Sequence, residues 1–293
     1  MGSRLLLGLL RLIQVLPLAW QALLGRAVGV MLYAFGRHRR RVALRNLELC
    51  LPELDETARR RLAFEHFQWL GRSLLERGLL WYAPPERLKR LIHVEGDIGF
   101  AQSTDQPVMW LVPHFLALDV AGAALLLFQS RPAASIYQRQ SNPVFDAAMR
   151  AGRTRFGDAA VFARSERALP LVRAIKQGRA FFNLPDMDFG RRETEFVPFF
   201  GVAASTLVAP SKMARGLGMK VQPIVATMLP GGQGYRVRCL PPWEDWPTDD
   251  PVADAAAMNR WIEAQIRAEP AQYLWVHKRF KTRPSGEPGL YRD

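Results

Sequence analysis

Apolar positions divide the chain into two unequal parts. Up to residue 36 they run almost unbroken: 5–10, then Arg11, an uncharged run over 12–25, then Arg26 and a further run over 27–35. The run 12–25 falls short of the roughly 18 residues of a clear spanning helix, and Pro17 kinks it. Arg11 and Arg26 stand near its ends, where long basic side chains snorkel to an interface. Apolar character resumes beyond Arg26 and no small-residue cleavage site stands out, which argues against a removable leader. Two readings of 1–36 stay open: a membrane anchor or interfacial helix, or a buried helix of the main domain. The cluster Arg37-His38-Arg39-Arg40-Arg41, with Arg45 behind it, follows directly. Such a cluster belongs on the cytoplasmic side of a membrane or against anionic lipid heads, so residues 37–293 are expected to face the cytoplasm.

Beyond the cluster the periodicity changes. Leu62, Phe64, Phe67, Trp69, Leu70, Leu74 and Leu75 recur at helical spacing after Asp55, a good N-cap, and Pro84-Pro85 ends the pattern. From residue 107 short apolar runs alternate with helical ones. Strands are expected at 107–112, 133–137, 160–162, 180–184, 220–228, 235–240 and 272–277. Helices are expected at 117–128, 143–155, 168–177, 205–216 and 251–268, with Gly231-Gly232 turning between two strands. This alternation predicts an α/β fold with a mostly parallel central sheet flanked by helices.

Composition narrows the partners. The 293 residues carry a formal net charge of +13, which favours anionic lipid heads, an acidic carrier protein or nucleic acid. A binding protein for membrane or nucleic acid rests on that charge alone; no nucleic-acid recognition motif is present, so nucleic acid is not an expected partner. Cys50 and Cys239 are too few and too far apart for a disulfide framework or a zinc site, and the remaining histidines show no ligand spacing, so neither a metal nor another cofactor is expected.

The stretch Trp110-Leu111-Val112-Pro113-His114-Phe115-Leu116-Ala117-Leu118-Asp119 carries the chemistry. His114 falls at the carboxyl end of a strand, where open α/β sheets place their sites. Five residues of regular helix turn by about 500°, which leaves the two ends about 140° apart. His114 and Asp119 therefore meet only if His114 lies in the loop and Asp119 in the first helical turn. Asp119 can then fix the imidazole tautomer while the other ring nitrogen takes a proton. No Gly-x-Ser-x-Gly elbow and no catalytic cysteine is signalled, so a His–Asp pair of this kind suits direct deprotonation of a substrate hydroxyl. By spacing alone the pair fits a structural histidine equally well.

Other stretches add to it: Tyr137-Gln138-Arg139 through Asn142-Pro143 and Asp146 to Arg153-Thr154-Arg155; Leu184-Pro185-Asp186-Met187-Asp188-Phe189-Gly190 leading to Phe196-Val197-Pro198-Phe199-Phe200-Gly201; Tyr273-Leu274-Trp275-Val276-His277-Lys278-Arg279-Phe280-Lys281-Thr282-Arg283-Pro284; and Arg45-Asn46-Leu47. With the His-x4-Asp block and the apolar N-terminus, the chain resembles the bacterial lipid A late acyltransferases, a branch of the glycerolipid-type acyltransferase superfamily. The Glu-Gly-Thr block of the glycerol-phosphate branch is missing, which favours the lipid A branch. The resemblance implies transfer of an acyl chain from acyl carrier protein to the hydroxyl of a 3-hydroxyacyl chain on a Kdo-bearing lipid A precursor. It implies His114 as general base, Asp119 as its orienter, and a place at the bacterial inner membrane.

Around that pair, Arg153 and Arg155 are candidates for lipid phosphates or for charge at the thioester, or else they complement a helix end. Asp186 and Asp188 follow an apolar strand and can bind sugar hydroxyls or position arginines, or stabilise a turn. Arg279 and Lys281 are candidates for phosphate, Kdo carboxylate or the acidic face of the carrier. Residues 196–200 are read as core or acyl-channel lining. The same chemistry on another acceptor, such as a lysophospholipid, an ornithine lipid or a polyene lipid, is the nearest alternative.

Overall fold

The computed structural model describes residues 2–166 and 168–291. Its sheet has seven strands: β1 (Ile92–Gly96), β2 (Val108–Leu111), β3 (Ala133–Tyr137), β4 (Ala159–Ala163), β5 (Ala180–Asn183), β8 (Lys220–Met228) and β9 (Tyr235–Cys239). Their spatial order is β1-β9-β8-β2-β5-β3-β4, and only the β8–β9 pair is antiparallel. All four residues of β2 are buried, as a central strand covered on both faces requires. The helices α7 (Leu118–Phe128), α8 (Pro143–Arg153), α9 (Leu169–Lys176), α10 (Ala209–Leu217) and α11 (Pro251–Ala268) flank it. The mostly parallel α/β sheet expected from the alternating pattern is what forms.

Three local expectations are corrected. The 205–216 segment is not one helix. Residues 205–207 close a strand β7 (Val202–Leu207), paired antiparallel with β6 (Thr194–Phe199), and α10 starts only at Ala209, where Pro210 sits in its first turn. The turn between these strands is Phe200-Gly201, both at positive φ (51° and 75°), the geometry of a tight two-residue hairpin. Phe199 is fully buried, so the 196–200 run supplies core. The 272–277 segment is not a strand but an irregular run with one bridge, Tyr273 to Phe115. Lastly, the helix after Asp55 divides: α4 (Glu56–Leu75) is capped by the Asp55 carboxylate, which accepts from Ala58 N at 2.7 Å, and after Glu76 a short α5 (Arg77–Tyr82) begins.

At the N-terminus, α1 (Gly2–Ile13) and α2 (Leu18–Phe35) are separated at Pro17. α2 is long and apolar enough to cross a membrane and is a candidate anchor. One of its faces packs along α4 through glycines. A Cβ on Gly29 would lie 2.1 Å from the Phe67 carbonyl oxygen, and one on Gly71 2.2 Å from the Gly25 carbonyl oxygen, so the two backbones touch with no room for side chains. The other face leaves Trp20, Leu23, Leu24, Met31 and Phe35 exposed. α3 (Arg37–Cys50) carries the basic cluster and Asn46, whose amide donates to the Trp275 and His277 carbonyls at 2.7 Å each. That contact ties the helix to the segment facing the sheet end.

Candidate active site

β2 and β5 are parallel neighbours with Leu111 opposite Asn183. Both continue into an apolar-Pro-polar sequence, Val112-Pro113-His114 and Leu184-Pro185-Asp186. Three residues beyond the last pair, at the same offset of 72 residues, His114 meets Asp186. The Asp186 carboxylate accepts from His114 N at 2.9 Å and from the ring Nδ1 at 2.6 Å. The His114 carbonyl in turn accepts from Leu274 N at 3.0 Å, so backbone and ring are both fixed. Nε2 carries no hydrogen bond among the described residues.

Asp186 is fully buried. Burial by itself raises its carboxyl, but the His114 charge, the two bonds from His114 and one from the Tyr273 hydroxyl outweigh it and hold it below the ordinary carboxylate range. Asp186 is therefore ionised beside the ring, and Nδ1 is the protonated nitrogen. Tyr273 is pushed well up, first by burial and then by the Asp186 charge, so it stays a neutral donor.

Asp119 lies in the first turn of α7, as expected from its spacing, but the ring nitrogen Nδ1 is bonded to Asp186. Asp119 is held by Arg153 instead, whose Nε and Nη2 reach Oδ1 at 2.9 and 2.8 Å, with Arg77 Nη2 at 3.8 Å from Oδ2. Burial raises its carboxyl; Arg153, Arg77 and then His114 overcome that and lower it. The reason for the changed partner is topological. The expected pair used two residues of one loop, whereas strand register delivers a carboxylate from the neighbouring strand directly onto Nδ1.

The remaining predicted residues divide. Arg153 belongs to the site. Arg155 donates to the carbonyls of Leu80 and Ala83 at 3.1 and 2.6 Å and pins the end of α8 to α5. Asp188 accepts from Gly190 N (2.9 Å), Thr282 N (2.7 Å) and Thr282 Oγ1 (2.8 Å), a clasp between the 186–190 turn and the C-terminal segment. His277 Nε2 accepts from Asp188 N at 3.1 Å, and burial, with His114 and Arg279 nearby, lowers its pKa to about 4. Arg279 is buried, bonded to the Ser205 carbonyl and Thr206 Oγ1 and stacked on Phe199, so it is a core tie rather than a surface anion ligand. Lys281 is exposed. Arg77 and Tyr273 belong to the site's surroundings although sequence spacing does not single them out. Among the described residues no group of three His, Cys, Asp or Glu gathers for a metal.

Asp119 and Arg153 also line a cleft between α7, α8 and the sheet, about 730 Å³ when counted out to its open rim. Its other walls are almost wholly apolar, among them Leu125, Leu126, Phe156 and Phe182. A hydrocarbon-lined cavity therefore opens on the charged residues next to His114.

The family model for bacterial lipid A biosynthesis acyltransferases matches residues 2–282. The chain belongs to that family. It is 35% identical over 288 residues to the lipid A biosynthesis palmitoleoyltransferase of Escherichia coli (strain K12), an alignment covering 97% of this chain and 92% of the other. Its identity to the lipid A biosynthesis lauroyltransferase of the same organism is 34% over 288 residues, covering 97% and 93%. To the myristoyltransferase it is 32% over 275 residues, covering 92% and 83%. This family member is thus an acyltransferase of lipid A biosynthesis, acting on a lipid A precursor.

Proposed function

We propose that this acyltransferase moves a fatty acyl group from the thioester of acyl carrier protein to the hydroxyl of a 3-hydroxyacyl chain on the lipid A precursor, with His114 as general base. The observation that carries this reading is the 2.6 Å contact from His114 Nδ1 to the ionised Asp186, which leaves Nε2 as the ring's proton acceptor. The substrate hydroxyl proton passes to Nε2 as its oxygen bonds to the thioester carbonyl carbon. Collapse of the tetrahedral intermediate breaks the C–S bond, and Nε2 returns the proton to the departing sulfur. Asp119 serves as the shared counter-charge that keeps Arg77 and Arg153 beside the base, where their positive charge favours the developing oxyanion or a lipid phosphate. The apolar cavity behind Asp119 takes the acyl chain. This reading assigns the orienting role to Asp186, and the substrate role first given to that residue lapses.

The domain 37–293 works at the cytoplasmic face of the inner membrane, with α1 and α2 as its attachment. α4 runs beside α2 and exposes Arg60, Arg61 and Glu65, which favours an interfacial position for the pair over a crossing one. His114→Ala in the purified full chain should abolish transfer from acylated carrier protein to the lipid A precursor while the circular dichroism spectrum is unchanged. Undiminished transfer by a folded variant would remove His114 as base. Transfer to a lysophospholipid in preference to the lipid A precursor would move the assignment of acceptor.

A further inference from the structure

A second groove lies between α2 and α4 and shares no lining residue with the cleft at Asp119. It is bounded by Ala19, Leu23 and Arg26 of α2, by Glu65, Trp69 and Arg72 of α4, and by the turn at 230–231. Counted to its open rim it holds about 780 Å³. Arg72 is almost fully buried. Its Nε donates to Glu76 at 2.7 Å, its Nη1 to the Leu229 carbonyl at 2.9 Å, and its guanidinium lies 4.8 Å from the centre of the Trp69 ring. Its Nη2 is buried and has no partner among the described residues. A buried guanidinium donor left without an acceptor keeps its positive charge only partly compensated, directly behind the groove wall.

The charges say what kind of ligand fits the groove. Arg72 is already paired with Glu76, whose other oxygen accepts from Tyr235 at 2.6 Å. Arg26 and Glu65 stand on opposite walls, one of each sign; Glu65 accepts from Trp69 Nε1 at 3.3 Å through Oε1, which leaves its other oxygen for the groove. Arg26 uses Nε on Gln68 at 2.9 Å, which leaves its terminal nitrogens for the groove. The remaining surface is apolar and continues onto the exposed face of α2 with Trp20, Leu23 and Leu24. We propose that this groove binds one phospholipid with an amine-bearing head group. The phosphodiester accepts from the terminal nitrogens of Arg26, with the buried Arg72 guanidinium adding positive charge behind it, the ammonium meets Glu65, and the acyl chains lie along α2. Arginine suits this use because its planar donors match phosphate oxygens. The site lies outside the acyl-transfer chemistry proposed above, and its test does not depend on that chemistry.

The test is native mass spectrometry of the full chain released from non-ionic detergent. Its probes are dioleoylphosphatidylethanolamine, dioleoylphosphatidylglycerol, dioleoylglycerol and inorganic phosphate. One phosphatidylethanolamine should be retained. Retention should fall at least about tenfold, some 1.4 kcal/mol, in Arg26→Gln and in Ala19→Phe, which fills the groove from an exposed helix position. Thermal melts of both variants should match the parent. Dioleoylglycerol should not be retained, and millimolar phosphate should not displace the lipid. Equal retention by Ala19→Phe would overturn the site. Equal retention of dioleoylglycerol would overturn the role of the arginines, and displacement by phosphate would make this a free-anion site. Phosphatidylglycerol held as tightly as phosphatidylethanolamine, or no change in Glu65→Gln, would overturn the choice of head group.

Discussion

Asp186 reaches His114 twice, at the amide and at the ring, so losing its charge removes the hold on the loop and on the tautomer together. Asp186→Asn keeps the shape and lets an amide N–H face Nδ1, which favours the wrong tautomer. In steady-state assays kcat should fall on the order of 10³- to 10⁴-fold, the scale of the same exchange in serine-protease triads, with KM little changed. Asp119→Asn leaves the ring contact intact and deprives Arg153 and Arg77 of their carboxylate. Its loss should be smaller in kcat and should appear in KM. Equal kcat losses in the two variants would return the orienting role to Asp119. At this scale the sequence made His114 legible through its strand-end position, and it placed Asp119 correctly in the first helical turn. It gave the ring to Asp119, and Asp186 to sugar hydroxyls, arginines or a turn, because register between strands far apart in the chain is not a local property. The signal was nonetheless present, in the matching apolar-Pro-polar ends of the two runs at 112–114 and 184–186.

Among the elements, the α2–α4 pair and the acyl cavity respond to single side chains. Alanine has a helix propensity better than glycine by about 1 kcal/mol. Gly71→Ala would nevertheless place a Cβ within 2.2, 2.3 and 2.7 Å of three backbone atoms of α2, which no rotamer change can relieve. Overpacking of that kind costs about 1–3 kcal/mol and should win, so the variant should melt at a lower temperature. In the cavity wall a Cβ on Gly122 would meet the Phe182 ring at 3.8 Å, ordinary contact, so longer side chains there take up cavity space. Gly122→Leu should shift donor preference toward shorter acyl chains by on the order of tenfold or more, read as a ratio of kcat/KM across a series of acyl carrier protein thioesters. An unchanged ratio would place the acyl chain elsewhere. The β6–β7 hairpin was the element least legible beforehand. Residues 196–200 are apolar throughout, so the sequence shows no alternation although Val197 and Phe199 are buried and Pro198 is exposed. Pro198 also argues against a strand, although an edge pair admits it.

For the molecule as a whole, the alternation of short apolar runs and helical ones was enough to give a parallel sheet, since helices on both faces are the usual way to bury such strands. What alternation did not give was the edge strand β1, which pairs with β9 from far along the chain; β9 itself and its turn from β8 were expected. Two histidines link the fold to pH. His66 is fully buried against the Ala271 carbonyl and His277 sits on Asp188; burial takes each to about 4 from an ordinary 6.5. A base whose folded pKa is depressed binds fewer protons than the unfolded chain between those values. Stability should therefore be intact above about pH 6.5 and fall as pH drops toward 4, by up to about 1.4 kcal/mol per pH unit for each histidine. Urea midpoints across that window should show the slope, and His66→Gln should flatten part of it. A midpoint independent of pH between 6.5 and 4 would contradict the buried, neutral state of both rings.

The shared offset of β2 and β5 also makes this enzyme its own inspector. A slip of one residue between the two strands would bring Pro185 or Met187, not Asp186, opposite His114. Because β3 and β4 intervene in the chain, the proposed base has its carboxylate only once β5 has paired with β2 across that long segment. A chain in which that pairing has not formed has no oriented His114, so on the proposed mechanism a thioester that reaches it meets no catalyst.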